Sequence, residues 1–305
     1  MASLSFPPPP LRTRSRLFRY LPVVFGCVAI YWSVGLARAH GDLHERIVSL
    51  TQQIKSQPRD ARLYLKRGEL HRFHSAWTDA EKDYDRAAQL DPTLAEVELE
   101  RGELFLASNH PQKAKLALDR FLLLQPDHAR ALLIRARTLV KLQQFAAAAV
   151  DFTHMIARLS DPTPDPYLER AQALISAGPD HFDEALRGLD EGITRLGPLV
   201  TLQLQAIELE CSLKRYDSAL QRLAHVTARA QRKESWLVRK AEILEQAGQV
   251  EEARIALTEA LAAIAALPTR QQNQEKTIAL ETQARKQLAR LSPSSTVNPN
   301  SENKQ

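Results

Sequence analysis

The sequence predicts an all-α protein, a solenoid of about six helix–turn–helix repeats with one further helix at each end. The first observation is a small residue followed twelve positions later by alanine, which recurs at a step of 34 residues as Gly68/Ala80, Gly102/Ala114 and Ala136/Ala148. The second observation is that this alanine returns after one insertion, at Ala185, Ala219 and Ala253. Periods of this length are typical of stacked arrays, in which each repeat buries its apolar face only against its neighbours.

The first half of the first repeat, residues 61–94, is predicted to be a helix. Tyr64, Gly68 and His71 fall on one face of it because they are spaced by three or four residues. A glycine inside a helix is unfavourable by about 1 kcal/mol relative to alanine. Gly68 therefore indicates that a second helix approaches closely at this point.

The second half of this repeat follows a short turn at residues 75–78. Ala80, Tyr84 and Ala87 share one face of a second helix. That helix is expected to end before Pro92, because proline cannot continue a helix and disfavours the helical conformation of the residue before it.

The other five repeats occupy residues 95–128, 129–162, 163–198, 199–233 and 234–268, so the array spans residues 61–268. The fourth repeat has a turn two residues longer, and the fifth is the most degenerate, since Ile207 stands where a small residue is expected. The residues of the repeat signature are Tyr64, Gly68, Ala80, Tyr84, Ala87, Pro92, Gly102, Ala114, Pro126, Ala136, Ala148, Phe152, Ala171, Ala185, Ala219, Ala241 and Ala253.

This pattern resembles the tetratricopeptide repeat. In the first repeat the aromatic residues, the small residues and the closing proline all match that family, whereas Arg67 stands where leucine usually precedes the glycine. The resemblance implies a right-handed α-solenoid whose first helices line a concave inner surface. It also implies a non-catalytic protein that binds another protein or a peptide in that groove, with no cofactor.

On this resemblance the first helix of each repeat presents two rows of residues to the inner surface. The apolar row consists of Leu65, Leu99, Leu133, Leu168, Leu204 and Val238, and the largely acidic row of Glu69, Glu103, Arg137, Gln172, Glu208 and Glu242. Arg72 and Leu106 complete the candidate partner-binding surface. Two interpretations stay open: the rows line a groove for an apolar and partly basic peptide, or the leucines pack on adjacent helices and the glutamates are solvated.

The segments on both sides of the array are predicted to cap it. Residues 40–60 and 269–291 each contain an amphipathic helix, as the polar outer face of a terminal repeat requires. Their apolar positions are Leu43, Ile47, Leu50 and Ile54 in the first and Leu280, Ala284, Leu288 and Leu291 in the second. Residues 292–305 are too polar to bury enough surface and are predicted to be a disordered tail.

Residues 1–39 are predicted to be an export signal. Four arginines precede a charge-free apolar run over residues 21–37, which closes on Ala37-Arg38-Ala39. A basic region, an apolar region and a small-x-small exit are the parts of a secretory signal peptide. The run is long for such a signal, so an uncleaved membrane anchor is the alternative. Both interpretations export the rest of the chain, and we expect it in the periplasm or on the periplasmic side of the inner membrane.

The charge balance argues against nucleic acid as a partner. The chain carries 41 Lys and Arg residues and 36 Asp and Glu residues, but five of the arginines and none of the acids precede His40. The remainder is formally neutral, whereas nucleic-acid-binding domains normally carry clustered positive charge. Beyond His40 the only cysteine is Cys211, which excludes an intramolecular disulfide there and is interpreted as a small buried apolar residue.

The sequence contains no motif of an enzyme or of a phosphate-binding loop. His40 and His44, or His71 and His74, are spaced so that each pair can share one helix face, but a catalytic zinc site usually needs three protein ligands. We therefore predict no catalytic residue and no metal ligand. The predicted function is a scaffold or adaptor of the bacterial envelope. The alternatives are a small-ligand or metal-binding periplasmic protein and an accessory subunit of an exported enzyme.

Overall fold

The computed structural model describes residues 43–292, and all regular secondary structure in that range is helical. The predicted export segment, residues 1–39, and all of the predicted tail except Ser292 lie outside the described residues. Within the described range the all-α class is confirmed. None of its helices combines the length and the hydropathy that crossing a bilayer requires.

Consecutive helices pack against each other as antiparallel pairs joined by tight turns. In chain order the helices are α1 (43–56), α2 (Ala61–Phe73), α3 (Trp77–Leu90), α4 (Glu96–Ala107), α5 (Pro111–Leu124), α6 (Ala129–Lys141), α7 (Phe145–Arg158), α8 (Pro164–Ala177), α9 (Phe182–Leu196), α10 (Val200–Ser212), α11 (Tyr216–Arg229), α12 (Glu234–Gln246), α13 (Val250–Ala265), α14 (Thr269–Gln272) and α15 (Glu275–Leu291). The extra residues of the fourth repeat form a short 3₁₀ turn, Pro179–His181.

The chain divides into two compact modules, one up to Asn109 and one from His110 onward, and each is described by itself. The N-terminal module contains α1–α4. Its core is formed where α2, α3 and α4 meet, around the fully buried Ala80, Tyr84 and Ala87. The aromatic ring of Tyr84 lies directly against Gly68, where a Cβ atom would come within 2.5 Å of the ring. The sequence predicted that a second helix approaches Gly68 closely, and the contact with Tyr84 is that approach.

The C-terminal module contains α5–α15. The small residues of the repeat signature lie at the contacts between paired helices and are almost completely buried, among them Ala136, Ala148, Ala185, Ala219 and Ala253. At its C-terminal end, one apolar cluster joins α12, α13 and α15. A second cluster, around Ile207 and Cys211, joins α10, α11 and α12.

The turns between paired helices share a residue with a left-handed backbone conformation, which the sequence pattern did not predict. Ser75, Asn109, Gln143 and Lys214 follow first helices and have φ values between 58° and 62°, and Gly248 follows α12 with φ 79°. A left-handed residue at this place ends a helix by letting later N–H groups bond back to its last carbonyls. The backbone N–H of Ala76, for example, donates to the carbonyl of His71 at 2.8 Å.

The C-terminal segment differs from the single helix expected over residues 269–291. It is interrupted at Asn273–Gln274, and Gln274 has an extended backbone with ψ 136°. The side-chain amide of Gln272 donates to the carbonyls of Ala265 and Leu267, at 2.9 and 2.7 Å. These bonds tie α14 to the end of α13, and the chain turns before α15 packs against α12 and α13.

Candidate functional site

In the N-terminal module, the predicted apolar row is part of the hydrophobic core. Leu65 and Leu99 are only 8% and 4% exposed, and Leu65 packs in the cluster around Tyr84. Leu106 is half-buried. For Leu65 and Leu99 the structure thus matches the interpretation in which the leucines pack on adjacent helices.

The C-terminal module places the same row differently. Leu133 on α6, Leu168 on α8 and Leu204 on α10 are half-buried, so each keeps part of its side chain accessible. Val238 on α12 is the exception and is buried. Three successive first helices therefore carry a leucine that is anchored in the module and still presents apolar surface.

The charged residues of the N-terminal module are compensated inside the protein. The guanidinium of Arg72 donates to Glu103 at 2.7 Å and to Glu100 at 3.2 Å, and lies 4.6 Å from the centre of the Phe73 ring. The neighbouring Tyr84 hydroxyl is buried without a hydrogen-bond partner, and burial raises its pKa above the ordinary value. Arg72 and Glu103 thus form a structural cluster; Glu69 is half-buried beside them.

In the C-terminal module, ion pairs connect the first helices of successive repeats. Arg137 on α6 pairs with Glu169 on α8 at 2.7 Å. Arg239 on α12 pairs with Glu208 on α10 at 2.5 Å and with Glu242 on its own helix at 2.8 Å. These bridges show that the first helices are neighbours, and that the row predicted as largely acidic is neutralised by arginine.

We define the first-helix surface as the part of the candidate surface that lies in the C-terminal module. It comprises Leu133, Arg137, Leu168, Gln172, Leu204 and Glu208. Its leucines are half-buried, while Arg137, Gln172 and Glu208 are exposed. The side-chain amide of Gln172 donates to the hydroxyl of Ser176 on its own helix, at 3.4 Å.

A second set of arginines was only partly recognised from the sequence. An arginine directly precedes the small residue in the first four repeats, and we call this set the arginine row: Arg67, Arg101, Arg135 and Arg170. From the sequence, Arg67 was recognised only as a departure from the usual leucine, and the row as such was not predicted. The 34-residue step that relates Arg67, Arg101 and Arg135 was the signal that could have revealed the row.

Each member of the arginine row is paired with acids from second helices. Arg67 bonds Asp83 through two nitrogens, at 2.8 and 2.6 Å, and donates to Thr51 of α1 at 3.1 Å. Arg101 pairs with Asp85 at 2.5 Å. The separation in sequence is 16 residues in each of these contacts.

The third and fourth repeats also pair their arginine with acids of second helices, although the acid of the fourth lies 21 residues away instead of 16. Arg135 bonds Asp119 at 3.1 Å and Asp151 at 2.7 Å, again 16 residues before and after it. Arg170 bonds Glu191 of α9 at 2.6 Å. The arginine row therefore ties neighbouring helices together, because a buried guanidinium is tolerated only when its charge and donors are satisfied.

His71 and Cys211 occupy structural positions. His71 is half-buried, its Nε2 lies 3.8 Å from Asp83, and burial lowers its pKa below the ordinary value. His40 lies outside the described residues, and within residues 43–292 no three His, Cys, Asp or Glu side chains cluster as a metal site would need. Cys211 is buried, which raises the pKa of its thiol.

The antiparallel helix pairs and their buried small residues define a class of protein that is built from stacked helix hairpins. The family model of the tetratricopeptide repeat matches residues 99–159, which run from α4 to the end of α7. Residues 99–159 thus match the tetratricopeptide repeat, and over this part of the chain the resemblance stated from the sequence is confirmed.

Solved structures are similar to this chain at low sequence identity. The C-terminal part of a repeat-containing protein of this family from Cytophaga hutchinsonii is 12% identical, with a TM-score of 0.57, over 78% of this chain and 94% of that one. A tetratricopeptide repeat protein from Parabacteroides merdae is 18% identical, with a TM-score of 0.47, over 84% and 97% of the two chains. No curated protein matches the sequence.

Proposed function

We propose that this chain is a non-catalytic scaffold that binds another protein through the first-helix surface. The observation that carries the proposal is the series Leu133, Leu168 and Leu204, one half-buried leucine on each of three neighbouring first helices. Tetratricopeptide repeats are a fold suited to protein–protein interaction, and we assign that role to this surface.

The chemistry of the surface fits a protein or peptide partner. Interfaces between proteins combine an apolar centre with a polar rim. Here the leucines supply the apolar centre, and the exposed pair Arg137–Glu169 lies at its side. An amphipathic helix or an extended segment can cover the leucines while its polar groups contact this pair. Because the charges are already paired, we expect apolar burial to supply most of the affinity.

We further propose that the scaffold works in a bacterial envelope, exported through residues 1–39. The support is the order of basic residues, charge-free apolar run and Ala37-Arg38-Ala39 in the sequence. N-terminal sequencing of the protein from its native cells tests this proposal. A mature chain that starts at His40 indicates cleavage, whereas an intact N-terminus in the membrane fraction indicates an anchor. An intact N-terminus in the cytosol would contradict export.

The binding proposal is tested with a photoreactive amino acid at Gln172, which is exposed on α8 beside Leu168. In native cells it should form one dominant cross-linked product with another protein. The same probe at Glu184, which is exposed on α9 outside the first-helix surface, is the matched control and should give little of that product.

A second variant connects the product to the leucines. Leu168→Asp places a charge in the apolar centre and should reduce the yield of the Gln172 product at least about tenfold, as the loss of roughly 1.4 kcal/mol or more of binding free energy implies. Circular dichroism must show unchanged helicity. Equal yields with and without this substitution would contradict the proposed surface.

A further inference from the structure

The sixth repeat breaks the rule of the arginine row. Lys240 directly precedes the small residue Ala241, so it stands where Arg67, Arg101 and Arg135 stand in earlier repeats. The positions 16 residues before and after it hold Ala224 and Ala256 instead of aspartate. As a result the Lys240 side chain, which is exposed, has no hydrogen bond and no ion pair within the described residues.

The missing acid can be located by comparison within the protein. Ala224 on α11 follows Asp190 on α9 by one repeat step of 34 residues, as Asp119 follows Asp85. Asp85 and Asp119 each reach forward to the arginine of the next repeat, at 2.5 and 3.1 Å. Ala224 stands where an aspartate would pair with the cation of the next repeat. That cation, Lys240, is present, but position 224 carries no carboxylate.

A cavity of about 280 Å³ occupies this place, between α11 and α12. Leu220, Leu223, Ala224 and Leu237 form apolar walls, Trp236 contributes an aromatic one, and Lys233 and Lys240 are the charged residues of the lining. No acidic residue lines it. The exposed side chain of Lys233, like that of Lys240, has no partner in the described chain, and neither does the indole N–H of Trp236.

We propose that this cavity binds an aspartate or glutamate side chain of a partner protein, next to an apolar residue of the same segment. The partner's carboxylate takes the place that Asp85 and Asp119 fill in earlier repeats and pairs with Lys240. The apolar neighbour packs on Leu220 and Trp236. The ligand must be anionic because the charged side chains of the lining are both cations, and charge-assisted hydrogen bonds favour a carboxylate over a neutral amide.

This inference rests on the proposed function, in that the partner is a protein. It adds a second contact that lies outside the first-helix surface, between α11 and α12. It also assigns a chemistry to one residue of the partner, an acid beside an apolar side chain.

The test uses two blocked peptides, acetyl-Leu-Glu-Leu-amide and acetyl-Leu-Gln-Leu-amide, and the full chain labelled with ¹⁵N-tryptophan. The glutamate peptide should shift the indole signal of Trp236 and leave that of Trp77 in place. The glutamine peptide should bind about tenfold more weakly, as expected for losing one charge-assisted hydrogen bond. Lys240→Gln should abolish the difference between the two peptides. Equal binding of both peptides to the wild-type chain would overturn the proposal.

A second variant supplies the missing acid within the chain. Ala224→Asp should pair with Lys240, leave the melting temperature unchanged or higher, and prevent the glutamate peptide from shifting Trp236. Ala157→Asp makes the same change on the exposed face of α7 and should leave peptide binding intact. Undiminished binding by the Ala224→Asp variant would contradict the assignment.

The outcomes separate this inference from the proposed function. If the peptides fail to bind while the Gln172 cross-link persists, the cavity assignment falls and the first-helix surface stands. If the glutamate peptide binds and no cross-link forms, the first-helix surface is contradicted and the cavity assignment stands.

Discussion

Gly68 shows how a single position couples two helices. Its backbone lies against the ring of Tyr84, and an added Cβ would come within 2.5 Å of the ring carbon Cε1. The ring is completely buried. The glycine is therefore retained in spite of its poor helix propensity.

Gly68→Ala should destabilise the protein. Overpacking a core usually lowers the free energy of unfolding by about 1–3 kcal/mol, and the gain of about 1 kcal/mol in helix propensity offsets only part of this. Urea unfolding followed by circular dichroism measures the change. Lys66→Ala, at an exposed position of the same helix, is the control and should stay within about 0.5 kcal/mol of the wild type. A stabilised Gly68→Ala variant would show that the contact is not tight.

The ion pairs of the arginine row and of the first-helix surface should differ in energetic weight. Asp151 is buried and accepts two bonds from Arg135, both at 2.7 Å, whereas Arg137 and Glu169 are half-exposed or exposed. We expect Asp151→Ala to lower the free energy of unfolding by about 3 kcal/mol, since it leaves a guanidinium without its main partner. Glu169→Ala should lower it by less than about 1 kcal/mol. Equal effects in the same unfolding assay would contradict this ranking.

His71 should make stability depend on pH. Burial is the main cause that lowers its pKa in the folded state, so near pH 6 the folded chain binds fewer protons than the unfolded chain. Stability is therefore lost as pH falls through the unfolded pKa of about 6.5 toward the lower folded pKa. Melting temperatures at pH 7.5 and 5.5 should differ less in a His71→Gln variant than in the wild type. An unchanged difference would exclude His71 as the cause.

The sequence predicted the small residues of the helix contacts and could not predict which leucines stay accessible. Spacing places Leu65 and Leu133 on the same face of their helices, yet Leu65 is buried and Leu133 is half-buried. The difference depends on how neighbouring helices cover each position, which a periodic pattern does not encode. Likewise, Glu169, which pairs with Arg137, and Glu208, one of the two acids that pair with Arg239, come from adjacent repeats and become visible only after stacking.

The helices themselves followed from periodicity and from their terminating residues. The interruption between α14 and α15 did not, because it is stabilised by the bonds from the Gln272 side chain to the end of α13. These bonds join two different helices, and no local pattern in residues 269–291 predicts them. The left-handed turn residues recur with nearly the same period, but they are Ser, Asn, Gln and Lys, so composition gave no signal.

Helix α15 is expected to protect the last repeat. Leu280, Leu288 and Leu291 pack against the cluster that contains Ala253, Leu257 and other buried residues of α13. A chain that ends at Pro268 should melt at a lower temperature and aggregate more readily, because it exposes this apolar surface. A chain that ends at Ser292 lacks only residues 293–305 and should melt like the full chain. Equal melting of both truncated chains would argue against a capping role.

Charge compensation runs through both modules. The arginine row joins second helices to first helices, and the Arg137 and Arg239 pairs join first helices to each other. Against this background, the unpaired Lys240 beside a cavity is a departure, and so are the half-buried leucines of the first-helix surface. We propose that a partner protein binds at both places.

The most direct test is hydrogen–deuterium exchange on the purified chain, alone and in complex with the protein identified through the Gln172 cross-link. We predict that the partner slows exchange in α6, α8 and α10, the helices that carry Leu133, Leu168 and Leu204. Exchange in α7 and on the exposed face of α13 should stay unchanged. Protection confined to the second helices, or no protection in α6, α8 and α10, would contradict the account.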